Sequence, residues 1–426
     1  MRSIKTAIIG AGSTYTPELI EGFIVRKNNL NFNSIYLMDI DKEKLEIVGG
    51  LAKRMLEASG FTGKVILTCD LDEAIAGADY ILAQIRVGGL AARILDEKIP
   101  LKYGLLGQET TGAGGFMKAI RTVPVLLDIA RRIEKLAPNA WLVNFSNPSG
   151  IAAQALLNHT NVKTIGLCNC FINMHAELVK TTGTKDFDYN YVGLNHLSWI
   201  TSVTVNGENV LERLGKTGAK MKNVPDIEYD DELIAAIPAI PSSYLSYYYL
   251  RDEQFQHCIK SEKTRGEVCV ELESSLVKQY SDTNLRDKPK ELEQRGGSLY
   301  STAAVSIVDA IENDKNEYHV VNVKNSGALS FMEDSDIVEI KCLVNRNGAA
   351  PAAVEKPDNP YIVGLMQAVK AYEKLTVRAI INGSRADALA ALMIHPLIGD
   401  YRKAKGVMDE MFEANAAFVP KELLKK

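Results

Sequence analysis

The first residues in this sequence able to do chemistry are two glycines and an acid. Gly10-x-Gly12 follows Thr6-Ala7-Ile8-Ile9 at once, with Ser13 and Thr14 behind it and Thr16-Pro17-Glu18-Leu19 next. Glycines where a strand hands over to a helix let the backbone turn tightly and approach a pyrophosphate. The helix N-terminus attracts that anion through its N–H groups and dipole. Asp39 closes a second apolar run, Ile35-Tyr36-Leu37-Met38, where a carboxylate accepts both ribose hydroxyls and repels the extra phosphate of NADP. Together Gly10, Gly12, Ser13, Thr14 and Asp39 read as an NAD site, although Tyr15 stands where the usual third glycine belongs. The competing reading is an α/β protein with a glycine turn and no nucleotide.

Four further segments gather polar groups at inferred strand ends. Gln84-Ile85-Arg86-Val87-Gly88-Gly89 has Arg93 a few residues on, and Gly107-Gln108-Glu109-Thr110-Thr111-Gly112 is a glycine-bracketed polar loop. Asn144-Phe145-Ser146-Asn147-Pro148 and Gly166-Leu167-Cys168-Asn169-Cys170 are the other two. Ligands of open α/β sheets bind outside the carboxyl ends of the strands, so these segments are expected to line one crevice; loop asparagines beside proline are also plain turn formers. Cys168 and His196 form a thiolate–imidazole pair suited to a divalent ion with open positions, or else a buried cysteine and a hydrogen-bonded core histidine. Cys170 is a rival ligand, whereas Cys69, Cys258, Cys269 and Cys342 read as small core hydrophobes. The run from Pro241 to Tyr249 holds Tyr244, Tyr247, Tyr248 and Tyr249: an aromatic core face, or a phenolic base if a neighbouring cation lowers its pKa. Arg265, Arg286 and Arg295 lie downstream, any one able to grip a phosphate bidentately.

The elements that must position these residues follow from the apolar pattern. Short runs at 6–9, 35–38, 65–67, 80–83, 141–145 and 164–167 alternate with helical stretches, one of them from about Asp41 to Glu57. Uniformly apolar strands separated by helices indicate a parallel sheet covered on both faces: an α/β, Rossmann-like doubly wound domain over residues 1–190. Past residue 190 the character changes. Trp199 to Val205 followed by Asn206-Gly207 is a hairpin signal, because Asn-Gly fits a type I′ turn. Helices near Glu267–Lys278, Ser301–Asn313 and Pro360–Ile381 then mix with isolated strands such as Val338-Glu339-Ile340. Residues 191–426 are therefore expected to form an interlocked α+β domain for substrate binding and oligomerisation.

With 426 residues, 46% hydrophobic, the chain exceeds the roughly 250–300 residues at which one core stops growing. A net charge of −4 offers nothing to nucleic acid or an anionic membrane, and no apolar run reaches the roughly 18 residues of a span. The apolar stretch after Met1-Arg2-Ser3-Ile4-Lys5 is too short for a signal peptide. Six scattered cysteines point to a reduced, cytoplasmic setting.

In combination these segments resemble family 4 of the glycoside hydrolases, the NAD- and metal-dependent phospho-glycosidases. The resemblance runs through Gly10 to Leu19, Gly107 to Gly112, Ser146-Asn147-Pro148, Gly193-Leu194-Asn195-His196-Leu197-Ser198-Trp199 and Arg295-Gly296-Gly297-Ser298-x-Tyr300-Ser301. Cys168-Asn169 resembles the branch acting on 6-phospho-β-glucosides; the α-specific branch typically has an acid at the second position. Such enzymes depart from the two-carboxylate mechanism. The resemblance implies that NAD⁺ takes a hydride from sugar C3 and that Tyr244 removes the acidified C2 proton, with Glu109 making the phenol more basic. It implies that Mn²⁺, or another divalent metal, sits on Cys168 and His196, and that Arg93, Asn147 and Arg265 contact the substrate. The aglycone then leaves C1, water adds, and the hydride returns. Asn169 occupies the acid's place but cannot protonate a leaving group. Homodimers or homotetramers acting on a phosphorylated disaccharide or β-glucoside are the implied assembly and substrate.

Overall fold

The computed structural model describes residues 1–214, 229–295 and 300–425. The six apolar runs of the first half become β1 (Ser3–Ile9), β2 (Asn31–Met38), β3 (Lys64–Thr68), β4 (Tyr80–Ala83), β5 (Trp141–Asn144) and β6 (Lys163–Gly166). They pair in parallel in the order β3-β2-β1-β4-β5-β6, with Ala7 facing Tyr36 on one side and Ile81 on the other. Every residue of β4 is buried, without the alternation of a half-solvated strand, because helices and loops cover both faces. Strand order reverses between β1 and β4, so the loops after these two strands diverge and leave a crevice.

Local chemistry starts the helices where the sequence predicts. Pro17 sits in the first turn of Thr16–Arg26, where its missing N–H costs nothing. The Asp41 carboxylate caps Lys42–Ala58 by accepting from Lys44 N at 3.1 Å, a contact worth about 1 kcal/mol. Thr264 and Glu267 form a reciprocal capping box that opens Arg265–Tyr280.

The second half contributes β7 (Asp188–Leu194), β8 (Leu197–Val205), β9 (Glu208–Asn209) and β10 (Ile240–Pro241), an antiparallel sheet ordered β10-β8-β7 with β9 on β8. The Asn206-Gly207 hairpin is present: both residues have positive φ, 52° and 83°, as a type I′ turn requires. One expectation is corrected. Val338-Glu339-Ile340 is not an isolated strand but the middle of β12 (Ile337–Asn345). With β11 (Glu317–Lys324) and β13 (Gly348–Pro351) it extends the large sheet to nine strands. β11 runs antiparallel to β6, with Asn322 opposite Gly166. A partner some 150 residues away leaves no local sequence signal. One apolar core includes Ile8 and Leu142 from the parallel strands, Leu194 and Trp199 from the small sheet, and Ile340 from β12. Among the described residues no helix is long and apolar enough to cross a membrane.

Candidate active site

The crevice at the strand ends encloses about 740 Å³. On one side the backbone does most of the shaping. Gly10 and Ala11 both donate N–H to the Met38 carbonyl at 2.9 Å, which draws the turn after β1 against the end of β2. Gly10 has φ +90°, and a Cβ there would lie 2.9 Å from the Gln84 carbonyl oxygen. Gly12 N donates to Asp39 Oδ2 at 2.8 Å, and a Cβ on Gly12 would touch that carboxyl at 2.9 Å. Asp39 Oδ1 accepts from Asp41 N, so the carboxylate is fixed in direction while lone pairs remain for ribose hydroxyls. Ser13 and Tyr15 also line this side. Thr14 does not; it is buried, and its carbonyl accepts from the Tyr280 hydroxyl at 2.8 Å.

The other side is built from ionised side chains. Gly114 and Gly115 begin a helix, Gly112–Leu136, in which a Cβ at either position would collide with the carbonyls of Gln108 or Thr110. Their smallness lets the 108–111 loop fold back over the helix start, where the Gln108 side chain accepts from Thr111 N at 2.9 Å. This lays Glu109 over Lys118, Nζ to Oε2 2.8 Å, with Arg93 Nη1 on its other oxygen at 2.8 Å and Arg86 bonded as well. Burial alone would raise the Glu109 carboxyl, but Arg86, Arg93 and Lys118 hold it well below the usual carboxylate range. Burial, then the charge of Arg86, brings Lys118 down to about 7 against the pull of Glu109. Arg93 is buried, with Nε on Glu97 at 2.8 Å.

His196 and Tyr244 sit at the junction of the two sides. β7 and β8 are joined by the two-residue turn Asn195-His196, and His196 takes φ +64° there, a conformation a side chain tolerates only when its surroundings fix it. Its ring stacks on Tyr244, centroids 3.9 Å apart and planes inclined by 13°. The ring engages the Thr110 backbone while buried Nδ1 has no hydrogen-bond partner. Burial and Lys118 bring His196 down to about 3, which keeps the imidazole neutral, the form a metal binds. Burial pushes the Tyr244 phenol well above its ordinary range, and Cys168 adds to the shift. Burial likewise pushes up the Cys168 thiol, whose sulfur accepts from Cys170 N at 3.4 Å. Among the described residues no group of three or more His, Cys, Asp or Glu could form a closed metal cage. The orphaned His196 Nδ1 and the buried Cys168 sulfur are each of the donor type a divalent ion accepts.

All four polar segments reach the crevice: Gln84 to Gly89, Glu109 and Thr110, Phe145 to Asn147, and Asn169 all line it. Asn147 presents a buried Oδ1 without a partner. Of the four tyrosines only Tyr244 lines the crevice; Tyr248 is bonded to Thr111 Oγ1 and Tyr249 accepts from Trp199 Nε1. Cys168 lies just behind the lining, 6% exposed. Arg265 is not brought in. It begins its helix and donates Nη2 to the Gln294 carbonyl at 2.7 Å, whereas Arg295 lines the crevice with Nη2 on Glu273 at 3.2 Å; the Nε of each is buried and unpartnered. Gly296, Gly297 and Ser298 of the neighbouring motif lie outside the described residues. Cys69 is corrected as well: it is exposed, because it falls in the loop just beyond β3, whereas Cys269 and Cys342 are core and Cys258 is half-buried. Lys118 is a site residue the sequence does not announce, because buried Arg121 and Thr122 share its helix face at i+3 and i+4.

A family model described as family 4 glycosyl hydrolase matches residues 5–184, and the model of that family's C-terminal domain matches residues 191–398. A Bacillus subtilis chain described as "Probable 6-phospho-beta-glucosidase" is 42% identical over 434 residues, covering 98% of each chain. The 6-phospho-beta-glucosidase of Escherichia coli is 37% identical over 437 residues, covering 98% of this chain and 97% of that one. The crystal structure of the Thermotoga maritima 6-phospho-beta glucosidase with manganese, NAD⁺ and glucose-6-phosphate superposes with a TM-score of 0.88. It shares 34% identity and covers 98% of this chain and 99% of that one.

Proposed function

Because the chain belongs to family 4 of the glycosyl hydrolases, we propose that it hydrolyses 6-phospho-β-glucosides such as cellobiose 6-phosphate, using NAD and Mn²⁺ or another divalent metal. The observation that carries this reading is the stack of a neutral, half-unpartnered histidine on a crevice tyrosine, beside a nucleotide-shaped glycine turn. Gly10, Gly12, Ser13 and Asp39 would hold the dinucleotide, with Thr14 buried behind them, and Cys168 and His196 would hold the metal. When bound, NAD⁺ supplies reversible oxidation at sugar C3 and the metal supplies Lewis acidity at the C2 and C3 oxygens.

The chain's own residues carry the proton chemistry. A ketone at C3 acidifies the proton on C2, and Tyr244 takes it. A phenol pushed up by burial is a strong base once ionised, and a cation beside it is what makes ionisation accessible. Glu109, kept charged by its three cations, sets a fixed negative charge near that phenol and strengthens its hold on the proton. Loss of the C2 proton expels the aglycone from C1. Asn169 can orient the departing group but has no proton to give it. Asn147 and Arg93 orient the sugar, and Arg295 and Arg86 offer the positive charge a 6-phosphate needs. Arg265 enters only if its helix start moves, since its guanidinium is engaged with Gln294.

The proposal extends to a cytoplasmic homodimer or homotetramer, supported by six sparse, unpaired cysteines and by the family resemblance. We assign coenzyme binding to residues 1–190 and oligomerisation to 191–426, with the substrate held by residues of both, Arg93 and Asn147 from the first and Tyr244 and Arg295 from the second. Hydrolysis in D₂O tests the chemistry. The glucose 6-phosphate released is expected to carry deuterium at C2, and a product with none sinks the redox reading.

A further inference from the structure

We propose that Glu339 is a positioning residue for the divalent ion, fixing the turn that carries His196. The inference rests on the metal reading above. Glu339 lies on β12, in the large sheet, and is 1% exposed. Its Oε1 accepts from the Tyr191 hydroxyl at 2.7 Å, and its Oε2 from Asn322 Nδ2 at 3.0 Å and Asn195 Nδ2 at 3.2 Å. Tyr191 belongs to β7 and Asn195 is the residue before His196, so one carboxylate ties the small sheet and its turn to the large sheet. Asn195 Oδ1 in turn accepts from Gly150 N, three residues beyond Asn147. A Cβ on Gly150 would lie 3.0 Å from Asn195 Cβ, so the glycine is what admits this contact.

Two features go beyond scaffolding. First, His196 holds a left-handed backbone conformation, which persists only where neighbours over-determine it, and Asn195 is the neighbour held from both ends. Second, among the described residues Glu339 has no Lys or Arg in an ion pair, unlike the buried Glu109 and Glu373. A buried carboxylate with only neutral donors is costly unless a cation comes close. A cation held at His196, beyond the Asn195 amide, would balance that carboxylate, in the manner of carboxylates behind metal ligands.

The test titrates Mn²⁺ into the full-length, metal-stripped protein and reads free Mn²⁺ by its electron paramagnetic resonance signal. NAD affinity and melting temperature are measured alongside. Glu339→Gln keeps the shape and removes the charge. It is expected to weaken Mn²⁺ binding about 10–100-fold with NAD affinity unchanged. Mn²⁺ affinity equal to wild type, with only the melting temperature moved, overturns the proposal. Should that variant not fold, Asn195→Ala cuts the tie while leaving the charge; a smaller loss in the same direction supports the proposal, and unchanged affinity overturns it. If the wild-type protein itself takes up no Mn²⁺, the metal reading fails instead, and the two failures are distinct.

Discussion

The two sides of the crevice solve opposite problems. The glycine side recognises through backbone N–H groups and close approach, with Asp39 set by the Gly12 amide. The Glu109 side packs a buried carboxylate against three cations, which hold it ionised. A site made of backbone is specified by a few adjacent residues and fails through shape. A site made of buried charge is specified by the whole fold and fails through electrostatics.

If that contrast holds, substitutions on the two sides should fail in different currencies. Tyr244→Phe removes the proposed base and is expected to lower kcat about 10²–10⁴-fold while NAD affinity, read by calorimetry, is retained. Near-full turnover would move the base elsewhere, Tyr247 or Tyr248 being the next phenols in the run. Cys168→Ser is next in size: it is expected to raise the Mn²⁺ concentration for half-activation at least about tenfold with little change in melting temperature. Unfolding at unchanged metal affinity would restore the core-cysteine reading. Gly12→Ala forces a methyl against the Asp39 carboxyl, and a loss of about 1–3 kcal/mol in NAD binding is expected with Mn²⁺ affinity intact.

The smallest effect lies outside the crevice. His395 is fully buried, its two ring nitrogens face the N–H groups of Gly112 and Leu397, of which the neutral ring can accept one, and burial brings it down to about 3. Its unfolded value is near 6.5, so between these limits the unfolded chain binds the extra proton. Stability from the neutral ring is present above pH 6.5 and drains away as pH falls toward 3, by at most about 1.4 kcal/mol per unit. His395→Asn should flatten that acid limb in melting curves taken from pH 6.5 to 5; an unchanged slope refutes the assignment.

The sequence made the glycine side legible because the turn, the preceding strand and the acid ending the next strand are local patterns with known periods. The convergence of the four polar segments was legible for a topological reason: parallel strands put their ends on one edge. What stayed hidden depends on distant contacts. No spacing announces that β11 joins β6, or that Lys118 meets Glu109 across a loop admitted by Gly114 and Gly115. Residue type and spacing alone do not tell Tyr244 from Tyr247, Tyr248 and Tyr249; the family resemblance picks it out, and the structure marks it by the ring of His196, which lies on another element. Arg265 and Arg295 look alike as residue types; helix capping at Thr264 turns one toward Gln294, while the other reaches the crevice.

The return of β11, β12 and β13 to the first sheet has a consequence for how such a chain can be cut or recombined. A fragment stopping near residue 190 would present the flank of β6 bare, an edge that invites stray pairing with other chains. A fragment starting there would carry three strands whose β11 edge had lost its partner β6. New specificities are therefore expected to arise by altering loops at the crevice rim, since swapping one half for another severs the scaffold they share.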